Sequence, residues 1–426
     1  MEMKEVISYI GVNRGKGPKV SLDRMKWLMD QLGHPEKKSK FIHIAGTNGK
    51  GSTSAFLFSI LREAGLQVGL FVSPHLEKIN ERIRINDTLI TDEEFQIYTE
   101  KVAKAVDQFE EKVKTEHYFA FEILTAVAFC YFADKSPDIV ILETGIGGRL
   151  DSTNVITTPE MSVITSIGID HIGLLGDTVE DIAREKVDIL KAGGQMVSGP
   201  VPESVREVMD EHAQLVGGQI EYIDRQSIQM TDIASDHQTF AYQGGGPFTI
   251  HMMGPHQVEN ACVALKASQL LADKGWPLND EIITKGLAKG FWPGRFEKIH
   301  ENPLVYLDGA HNLPGVEKLM ETIRIQFPSQ KFTFVIGMMR DKQFEDMIEL
   351  SLPLAEKYLV TSPDEQRGFD AEEIAAWLRD EKHVEAIALP SVDEIKNYIE
   401  KVAHPDEIII QFGSLYLVGA LRAALK

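Results

Sequence analysis

The chain has 426 residues, of which 25% are charged, and its formal net charge at pH 7 is −20. This acidic balance argues against nucleic acid and against an anionic membrane surface as partners. Because the length exceeds the ~250–300 residues at which a single hydrophobic core usually divides, we expect two or three domains.

The cysteines and the N-terminus favour a reducing compartment. Cys130 and Cys262 lie in apolar helical runs, which predicts core packing rather than a disulfide. The first ten residues lack the apolar core of a signal peptide, and no stretch reaches the ~18 apolar residues that a membrane span requires. We therefore expect a cytoplasmic protein.

The predicted elements alternate between strands and helices along the whole chain. Residues 1–40 predict two short helices around a basic, glycine-rich loop at residues 11–19. Strands are predicted at residues 41–45, 67–72, 138–142 and 161–167, and helices at residues 52–63, 92–114, 119–133, 178–191 and 256–272. Two short strands at residues 237–242 and 247–252 favour an antiparallel edge. This alternation predicts the α/β class with a doubly wound parallel sheet.

A second alternation follows the glycine and proline at residues 291–295, which are typical of a domain joint. It predicts strands at residues 304–307, 331–336, 358–361, 386–389 and 407–412, and a last helix from residue 414. We therefore place a first, larger domain at residues 1–296 and a smaller α/β domain at residues 297–426.

The segment FIHIAGTNGKGST at residues 41–53 predicts a buried strand, a glycine-rich turn and a helix. In such a turn, backbone N–H groups approach phosphate oxygens closely, and the helix N-terminus adds a favourable dipole. Lys50 would add a point charge. We interpret the segment as a phosphate site rather than as an ordinary tight turn before a helix.

The spacing of this turn differs from that of a Walker A motif. That motif has glycine where this chain has Ile44, and Ser or Thr where this chain has Gly51. The difference counts against a P-loop kinase or motor. A second rival class, a non-catalytic nucleotide-binding module, would not need the polar residues considered next.

Polar residues follow three predicted strands at their carboxyl ends, where ligands gather in such sheets. These residues are Ser73, Glu143 and His171. Glu143 suits Mg²⁺, which takes one or two protein oxygens, and a turn cap is the equally weighted alternative. His171 is either a ligand completed by oxygens or a core histidine.

Lys186 shares the apolar face of its predicted helix with Ile182 and Ile189. A side chain that reaches solvent is the ordinary explanation, and a chemically altered lysine in a site is the alternative. Asp308, after the first strand of the second domain, favours a nucleotide contact over a capped turn. Together with Arg295 at the domain joint, it would face the phosphate loop if the domains closed.

Ten motifs in register resemble the folylpolyglutamate synthase and dihydrofolate synthase family of the Mur ligase superfamily. They are GTNGKGST, SPHL, ERI, ETGIGGRLDSTN, GIDH, AREK, HQVENA, PGRFE, DGAHN and GSLYLVG, and they extend over the whole chain. The resemblance implies a Mur-ligase-type P-loop ATPase domain joined to a smaller Rossmann-like domain.

The resemblance also implies roles for individual residues. ATP would be held by Asn48, Gly49, Lys50, Gly51, Ser52, Asn260, Arg295, Asp308 and His311, and magnesium by Ser73, Glu143 and His171. Lys186 would carry a carbamate, which makes it a carboxylate-like ligand. The implied catalytic residues are Lys50, Lys186, His171 and Arg295. Folate contacts are expected from Tyr118, Phe119, Phe121 and Glu122, and from residues 11–24.

The implied reaction is ATP-dependent addition of L-glutamate to the terminal glutamate of tetrahydrofolate through an acyl phosphate. Phosphoryl transfer asks the protein mainly for positioning and charge neutralisation, which Lys50, Arg295 and two Mg²⁺ ions would supply. The alternative is a bifunctional enzyme that also makes dihydrofolate from dihydropteroate and glutamate. We expect a monomer whose partners are ATP, a reduced folate and L-glutamate.

Overall fold

The computed structural model of the chain describes residues 1–11, 19–170, 173–340, 344–362 and 368–426. They form two compact units. The first consists of Met1–Gln229, Phe240–Thr249 and Glu259–Gly290, and the second of Met230–Thr239, Ile250–Val258 and Phe291–Lys426. Within the described ranges, no helix combines the length and apolar character that a membrane crossing requires.

An eight-stranded sheet forms the centre of the first unit. Its strands in chain order are β1 (Phe41–Ala45), β2 (Val68–Phe71), β3 (Ile83–Ile85), β4 (Thr88–Leu89), β5 (Ile139–Glu143), β6 (Met161–Ile164), β7 (Gln195–Ser198) and β8 (Gln219–Tyr222). Their order in the sheet is β4-β3-β2-β5-β1-β6-β7-β8. The six strands β2, β5, β1, β6, β7 and β8 pair in parallel. Strands β3 and β4 add an antiparallel edge next to β2.

The central strands of this sheet are buried at every position, as expected of strands covered by helices on both faces. In the register, Ile44 lies opposite Glu143, and Ala45 lies opposite Ile164. The carboxyl ends of β5, β1 and β6 therefore meet at one edge of the sheet, as the predicted α/β class requires.

Nine helices are described before residue 290. They are α1 (Met3–Gly11), α2 (Asp23–Gln31), α3 (Lys50–Glu63), α4 (Asp92–Lys112), α5 (Ala120–Lys135), α6 (Val179–Val187), α7 (Glu203–Val216), α8 (Pro255–Asp273) and α9 (Asp280–Ala288). Helix α5 is apolar around its circumference and belongs to a core cluster of this unit that is rich in aromatic side chains. Cys130 on α5 and Cys262 on α8 are buried free thiols, so the prediction of core packing is confirmed.

A three-stranded sheet follows, formed by β9 (Ile228–Ile233), β10 (Gln238–Tyr242) and β11 (Gly245–Ile250) in the order β11-β10-β9. The sequence predicted β10 and β11 but not β9. Nearly all residues of β9 are exposed, so this strand lacks the apolar alternation from which a strand is predicted.

A six-stranded sheet forms the centre of the second unit, in the order β12-β13-β17-β14-β15-β16. Its strands are β12 (Glu297–Glu301), β13 (Leu304–Leu307), β14 (Phe332–Ile336), β15 (Ala355–Val360), β16 (Glu385–Ala388) and β17 (Ile408–Phe412). All pair in parallel except β12, which runs antiparallel at the edge. The helices after residue 290 are α10 (Leu313–Gln326), α11 (Phe344–Ser351), α12 (Ala371–Asp380), α13 (Val392–Lys401) and α14 (Leu415–Leu425).

Besides β9, the structure adds α7 and α9, which the sequence analysis did not predict, and it corrects the prediction at β7, β8 and α6. Strands β7 and β8 were missed because they are short and because β8 has no fully buried position. The helix predicted at residues 178–191 ends at Val187, where Asp188 caps it. Ile189 and Leu190 remain buried beyond that end, which explains why the apolar pattern continued past the helix.

Candidate active site

The glycine-rich turn connects β1 to α3, and α3 begins at Lys50. Gly49 precedes the helix with φ = +85°, a conformation that side chains other than glycine rarely adopt. A Cβ at this position would also overlap the Asn260 amide oxygen. The backbone of the turn therefore needs glycine here, and the structure brings Asn260 to the turn as the sequence analysis expected. Gly51 and Ser52 lie in the first turn of α3.

The segment that follows β6 holds this turn in place. Thr47 N donates to Ser166 O (2.8 Å), and Asn48 N donates to Ser166 Oγ (3.0 Å). In the reverse direction, Thr165 Oγ1 donates to Asn48 O (2.6 Å). Sequence analysis missed Thr165 and Ser166. Their hydroxyls directly after a buried strand that neighbours β1 were the signal that could have identified them.

Two lysines lie at the carbonyl of Gly46. Lys50 Nζ donates to Gly46 O at 3.0 Å, and Lys186 Nζ donates to the same oxygen at 3.0 Å. Lys186 is 4% exposed, so the interpretation that its side chain reaches solvent is wrong. Helix α6 places it there because Ala183 and Val187 pack into the core beside β6.

Burial lowers the pKa of Lys186 to about 7, and the nearby positive charge of Lys50 acts in the same direction. A large share of this amine is therefore neutral near physiological pH. A neutral amine is a nucleophile, whereas the ammonium form of an ordinary surface lysine is not.

Oxygen donors lie at the carboxyl ends of three strands, β2, β5 and β1, the last of which leads into α3. Glu143 is the last residue of β5 and is 3% exposed, and Ser73 is half-buried just after β2. Ser52 Oγ is buried in the first turn of α3 without a hydrogen-bond partner among the described residues. A carboxylate with hydroxyls is a donor set that fits a hard cation such as Mg²⁺.

His171, the third predicted magnesium ligand, lies outside the described residues. In the part of the chain that is described, no three His, Cys, Asp or Glu side chains are grouped as a metal site. The assignment of magnesium to Ser73, Glu143 and His171 thus stays a prediction, and the buried hydroxyl of Ser52 is a further oxygen donor in the same region.

The loop after Glu143 is held by a buried network that sequence analysis missed. Asp151 Oδ2 accepts hydrogen bonds from Gly145 N (2.9 Å) and Ile146 N (3.0 Å). Asp151 Oδ1 accepts from the Thr153 hydroxyl (2.6 Å), which in turn lies 2.8 Å from His43 Nε2. Since the hydroxyl proton goes to Asp151, His43 is the donor in the second bond.

His43 is neutral in this network. Burial lowers its pKa to about 3, and the positive charge of Lys191 acts in the same direction. The loop that follows the candidate metal ligand is thereby connected to β1, the strand that leads into the phosphate turn. A histidine in the middle of a predicted strand was the available sequence signal.

Among the predicted folate contacts, two side chains are engaged in internal contacts. Glu122 is 1% exposed and accepts from Arg24 Nη2 (2.9 Å) and from Phe119 N (2.9 Å). Tyr118 is fully buried, and its hydroxyl donates to Arg24 O (2.8 Å). Phe119 and Phe121 are half-buried, and residues 12–18 of the expected folate region lie outside the described residues.

In the second unit, Asp308 organises the turn that carries Arg295. Its buried carboxylate accepts from Phe296 N and from Ala310 N, both at 2.8 Å. Burial raises the pKa of Asp308, and the positive charge of Arg295 opposes that shift. His311 Nδ1 lies 2.7 Å from Gly309 O. Arg295, Asp308 and His311 therefore lie in adjoining turns of the second unit, and their role as nucleotide contacts stays a prediction.

These features define a class of protein. In the first unit, a strand, a glycine turn with a lysine, and a helix follow one another in the arrangement typical of a phosphate site, and the second unit is a separate α/β domain. Residues 44–268 match the model of the Mur ligase middle domain, and residues 294–415 match that of the Mur ligase glutamate ligase domain. The class is that of the Mur ligases.

Individual relatives identify the family more closely. The dihydrofolate synthase/folylpolyglutamate synthase of Bacillus subtilis (strain 168) is 38% identical over 428 residues, which cover 96% of each chain. A solved folylpolyglutamate synthase of Mycobacterium tuberculosis, complexed with ADP, has a TM-score of 0.90 and 27% identity, covering 100% of this chain and 98% of that one. A complex of folylpolyglutamate synthase with AMPPCP and folate has a TM-score of 0.83 and 30% identity, and covers 100% of both chains. The chain belongs to the folylpolyglutamate synthase/dihydrofolate synthase family.

Proposed function

We propose that this protein is an ATP-dependent ligase that joins L-glutamate to the glutamate of a reduced folate. The observation that carries the proposal is the phosphate turn at Gly49 and Lys50, in a chain that aligns with folylpolyglutamate synthases over nearly all of its length. The substrates are small molecules: ATP, tetrahydrofolate or a one-carbon derivative of it, and L-glutamate.

The reaction proceeds in two steps. A γ-carboxylate oxygen of the folate attacks the γ-phosphorus of ATP, which forms an acyl phosphate and releases ADP. The amine of L-glutamate then attacks the acyl carbon, and the C–O bond to phosphate breaks as the amide forms. The protein has to hold the reactants in line, neutralise developing charge and keep water from the acyl phosphate.

Charge neutralisation at the phosphates is assigned to Lys50 and to the backbone N–H groups of the turn. Lys50 Nζ now bonds to backbone carbonyls of its own turn, so its ammonium is already beside the site. The remaining proposed ATP contacts are Asn48, Gly49, Gly51, Ser52, Asn260, Arg295, Asp308 and His311. The hydroxyl of Ser52 is buried without a partner among the described residues, which supports its role as an oxygen donor in the site.

Magnesium is proposed at Ser73, Glu143 and His171, with two ions in the active enzyme. When bound, Mg²⁺ would shield the negative charges of the γ-phosphate and the attacking carboxylate from each other. The Asp151–Thr153–His43 network holds the backbone that follows Glu143, and so fixes where this carboxylate lies.

Lys186 is proposed to carry a carbamate. Its neutral amine attacks CO₂, an N–C bond forms and one proton is released, which leaves an anionic carboxylate-like group. The protonated form of Lys186 is disfavoured by burial and by the charge of Lys50, whereas the carbamate is an anion that Lys50 attracts. The lowered pKa of Lys186 supports the first step because it supplies the unprotonated amine.

The alternative is a bifunctional enzyme that also adds glutamate to dihydropteroate, and the double name of the Bacillus subtilis relative favours it. The proposal further includes a domain boundary between residues 296 and 297, a monomeric enzyme and a cytoplasmic location. The half-buried Phe119 and Phe121 remain candidates for folate contacts.

An ADP-release assay tests the proposal. Tetrahydrofolate together with L-glutamate should stimulate ADP release from ATP and Mg²⁺, and each one alone should not. Stimulation by dihydropteroate with L-glutamate would establish the bifunctional alternative. Stimulation by a UDP-linked muramyl substrate instead would overturn the proposed folate specificity.

A further inference from the structure

The turn that carries Arg295 has an unusual backbone. Phe296, the next residue, has φ = +47°, in the left-handed region that a phenylalanine rarely adopts. Such a conformation persists only where surrounding contacts impose it. Phe296 N donates to Asp308 Oδ2 (2.8 Å), and Gly294 O accepts from Gly309 N (2.8 Å). The position of Arg295 therefore depends on residues that hold this turn.

Glu297 holds the other side of the same turn. Its carboxylate is buried, with 8% of the residue exposed, and Oε2 accepts from Gly294 N at 2.8 Å. A buried carboxylate is costly unless a charged or hydrogen-bonding partner compensates for the lost water. The nearer charged partner is Arg422 on α14, whose Nε lies 3.1 Å from Oε1 and 3.0 Å from Oε2, and Lys426 Nζ lies farther away, 3.7 Å from Oε1.

Helix α14 contacts the turn at a second point. Arg295 Nη1 lies so close to Gly309 that a Cβ there would overlap it, and the Leu415 side chain occupies the same small space. Leu415 and Arg422 are seven residues apart, which is about two helical turns, so both project from one side of α14. One helix thus reaches the space beside Gly309, where the guanidinium lies, through Leu415, and it supports the backbone of the turn through Arg422.

We propose that Arg422 is a positioning residue for the nucleotide contact of Arg295, and that it acts through Glu297. This inference rests on the proposed function, because it takes Arg295 as an ATP contact. Arg422 itself bonds to Glu297 rather than to a substrate group. Its loss would leave Glu297 without the guanidinium and would release Gly294 N from a fixed acceptor, so that Arg295 would sample other positions.

A contact between α14 and α13 offers a matched control. Lys396 Nζ, on α13, donates to Ala424 O near the end of α14 at 2.7 Å. Lys396→Met removes a contact of this helix end without altering Glu297. A general loosening of α14 would therefore be produced by Lys396→Met as well as by Arg422→Met, whereas a change in the Arg295 turn would follow from Arg422→Met alone.

The experiment compares full-length Arg422→Met, Arg422→Lys and Lys396→Met with the unmodified protein. The affinity for the ATP analogue AMPPCP is measured by calorimetry, together with kcat and the KM values for ATP and L-glutamate, and with the thermal midpoint. We expect Arg422→Met to weaken AMPPCP binding and raise the KM for ATP by about tenfold, with the KM for L-glutamate within about twofold. For Arg422→Lys, the AMPPCP affinity and the KM for ATP should lie between those of Arg422→Met and of the unmodified protein, because a lysine retains the charge but lacks the planar guanidinium.

Two results would overturn the inference. One is AMPPCP affinity for Arg422→Met within about twofold of the unmodified protein, and the other is an equal loss in Lys396→Met. If Arg422→Met does not fold, Arg422→Lys decides: weaker AMPPCP binding by threefold or more supports the inference, and unchanged binding contradicts it. Because the binding measurement needs no folate, absence of ligase activity in the unmodified protein would count against the proposed function and not against this inference.

Discussion

At the scale of single residues, the site depends on charged groups held out of water. Lys50 and Lys186 share the carbonyl of Gly46, and Asp308 is buried beside Arg295. Of these groups, Lys50 is the cation that can meet an anionic ligand, because Asp308 is an acid and burial makes much of the Lys186 amine neutral. The net charge of −20 makes such local cations necessary, because the protein as a whole repels the phosphates of ATP.

Lys50→Ala should abolish ATP turnover and leave the fold intact. The side chain contributes two hydrogen bonds to its own turn, while its charge is the principal neutralising group proposed for the phosphates. We expect kcat/KM for ATP to fall by about 100-fold or more in the ADP-release assay. Lys285→Ala, which removes an exposed ion pair with Glu281, is the control and should keep normal turnover. Near-normal activity of Lys50→Ala would refute the phosphate-site assignment.

The buried Lys186 should make stability depend on pH in a defined window. Its pKa is about 7 in the folded protein and 10.5 in the unfolded chain, so between these values the unfolded state binds more protons. Stability therefore rises with pH across that window, by about 1 kcal/mol per pH unit. Urea unfolding at about pH 7 and about pH 9, in CO₂-free buffer without Mg²⁺, measures the slope.

Lys186→Met is the comparison for this measurement, since it keeps the length and apolar part of the side chain. The variant should show a smaller increase in the free energy of unfolding between the two pH values than the unmodified protein. Equal slopes in the two proteins would mean that Lys186 is not desolvated as the structure indicates. Ligase activity of Lys186→Met should be lost, and acetate should restore part of it if a carbamate is the working form.

At the scale of elements, apolar composition decided what the sequence could predict. Strands β1, β5 and β6 were predicted because they are nearly continuous apolar runs between turn residues. Strands β8 and β9 were missed because both are largely exposed and their pattern is polar. The carboxyl edge of the sheet was thus predictable, and so were the residues that follow its central strands.

The contacts that support this edge were not predictable in the same way. Thr165, Ser166 and Thr153 make hydrogen bonds to segments that lie far apart from them in the chain, and a pattern within one segment cannot show such a partner. The pairing of Arg422 with Glu297 spans 125 positions and was missed for the same reason.

Thr153→Val should destabilise the protein through the buried network at β1. Valine fits the space of threonine but leaves the donor of His43 and one lone pair of Asp151 without a partner. We expect a loss of about 1–3 kcal/mol in the free energy of unfolding, measured in urea. Thr284→Val, which removes an exposed hydroxyl bonded to Asp280 O, is the matched control and should cost much less. Equal costs would show that the buried network contributes no more than a surface hydrogen bond.

At the scale of the whole molecule, the two units are α/β folds with different sheet orders, and both carry residues assigned to ATP. The phosphate turn, Glu143 and Lys186 belong to the first unit, and Arg295 and Asp308 belong to the second. The chain matches two Mur ligase domain models in succession, which agrees with the distribution of these residues over two units. The central claim is that these parts together make an amide from a carboxylate, an amine and ATP through an acyl phosphate.

Isotope transfer tests that claim most directly. Tetrahydrofolate labelled with ¹⁸O in its γ-carboxylate is incubated with the protein, ATP, Mg²⁺ and L-glutamate, and both products are analysed by mass spectrometry. The account predicts a folate heavier by one glutamate residue and inorganic phosphate that carries one ¹⁸O atom per amide formed, because the carboxylate oxygen that attacks ATP leaves with the phosphate. A glutamylated folate accompanied by unlabelled phosphate, or ADP formation without any glutamylated product, would contradict it.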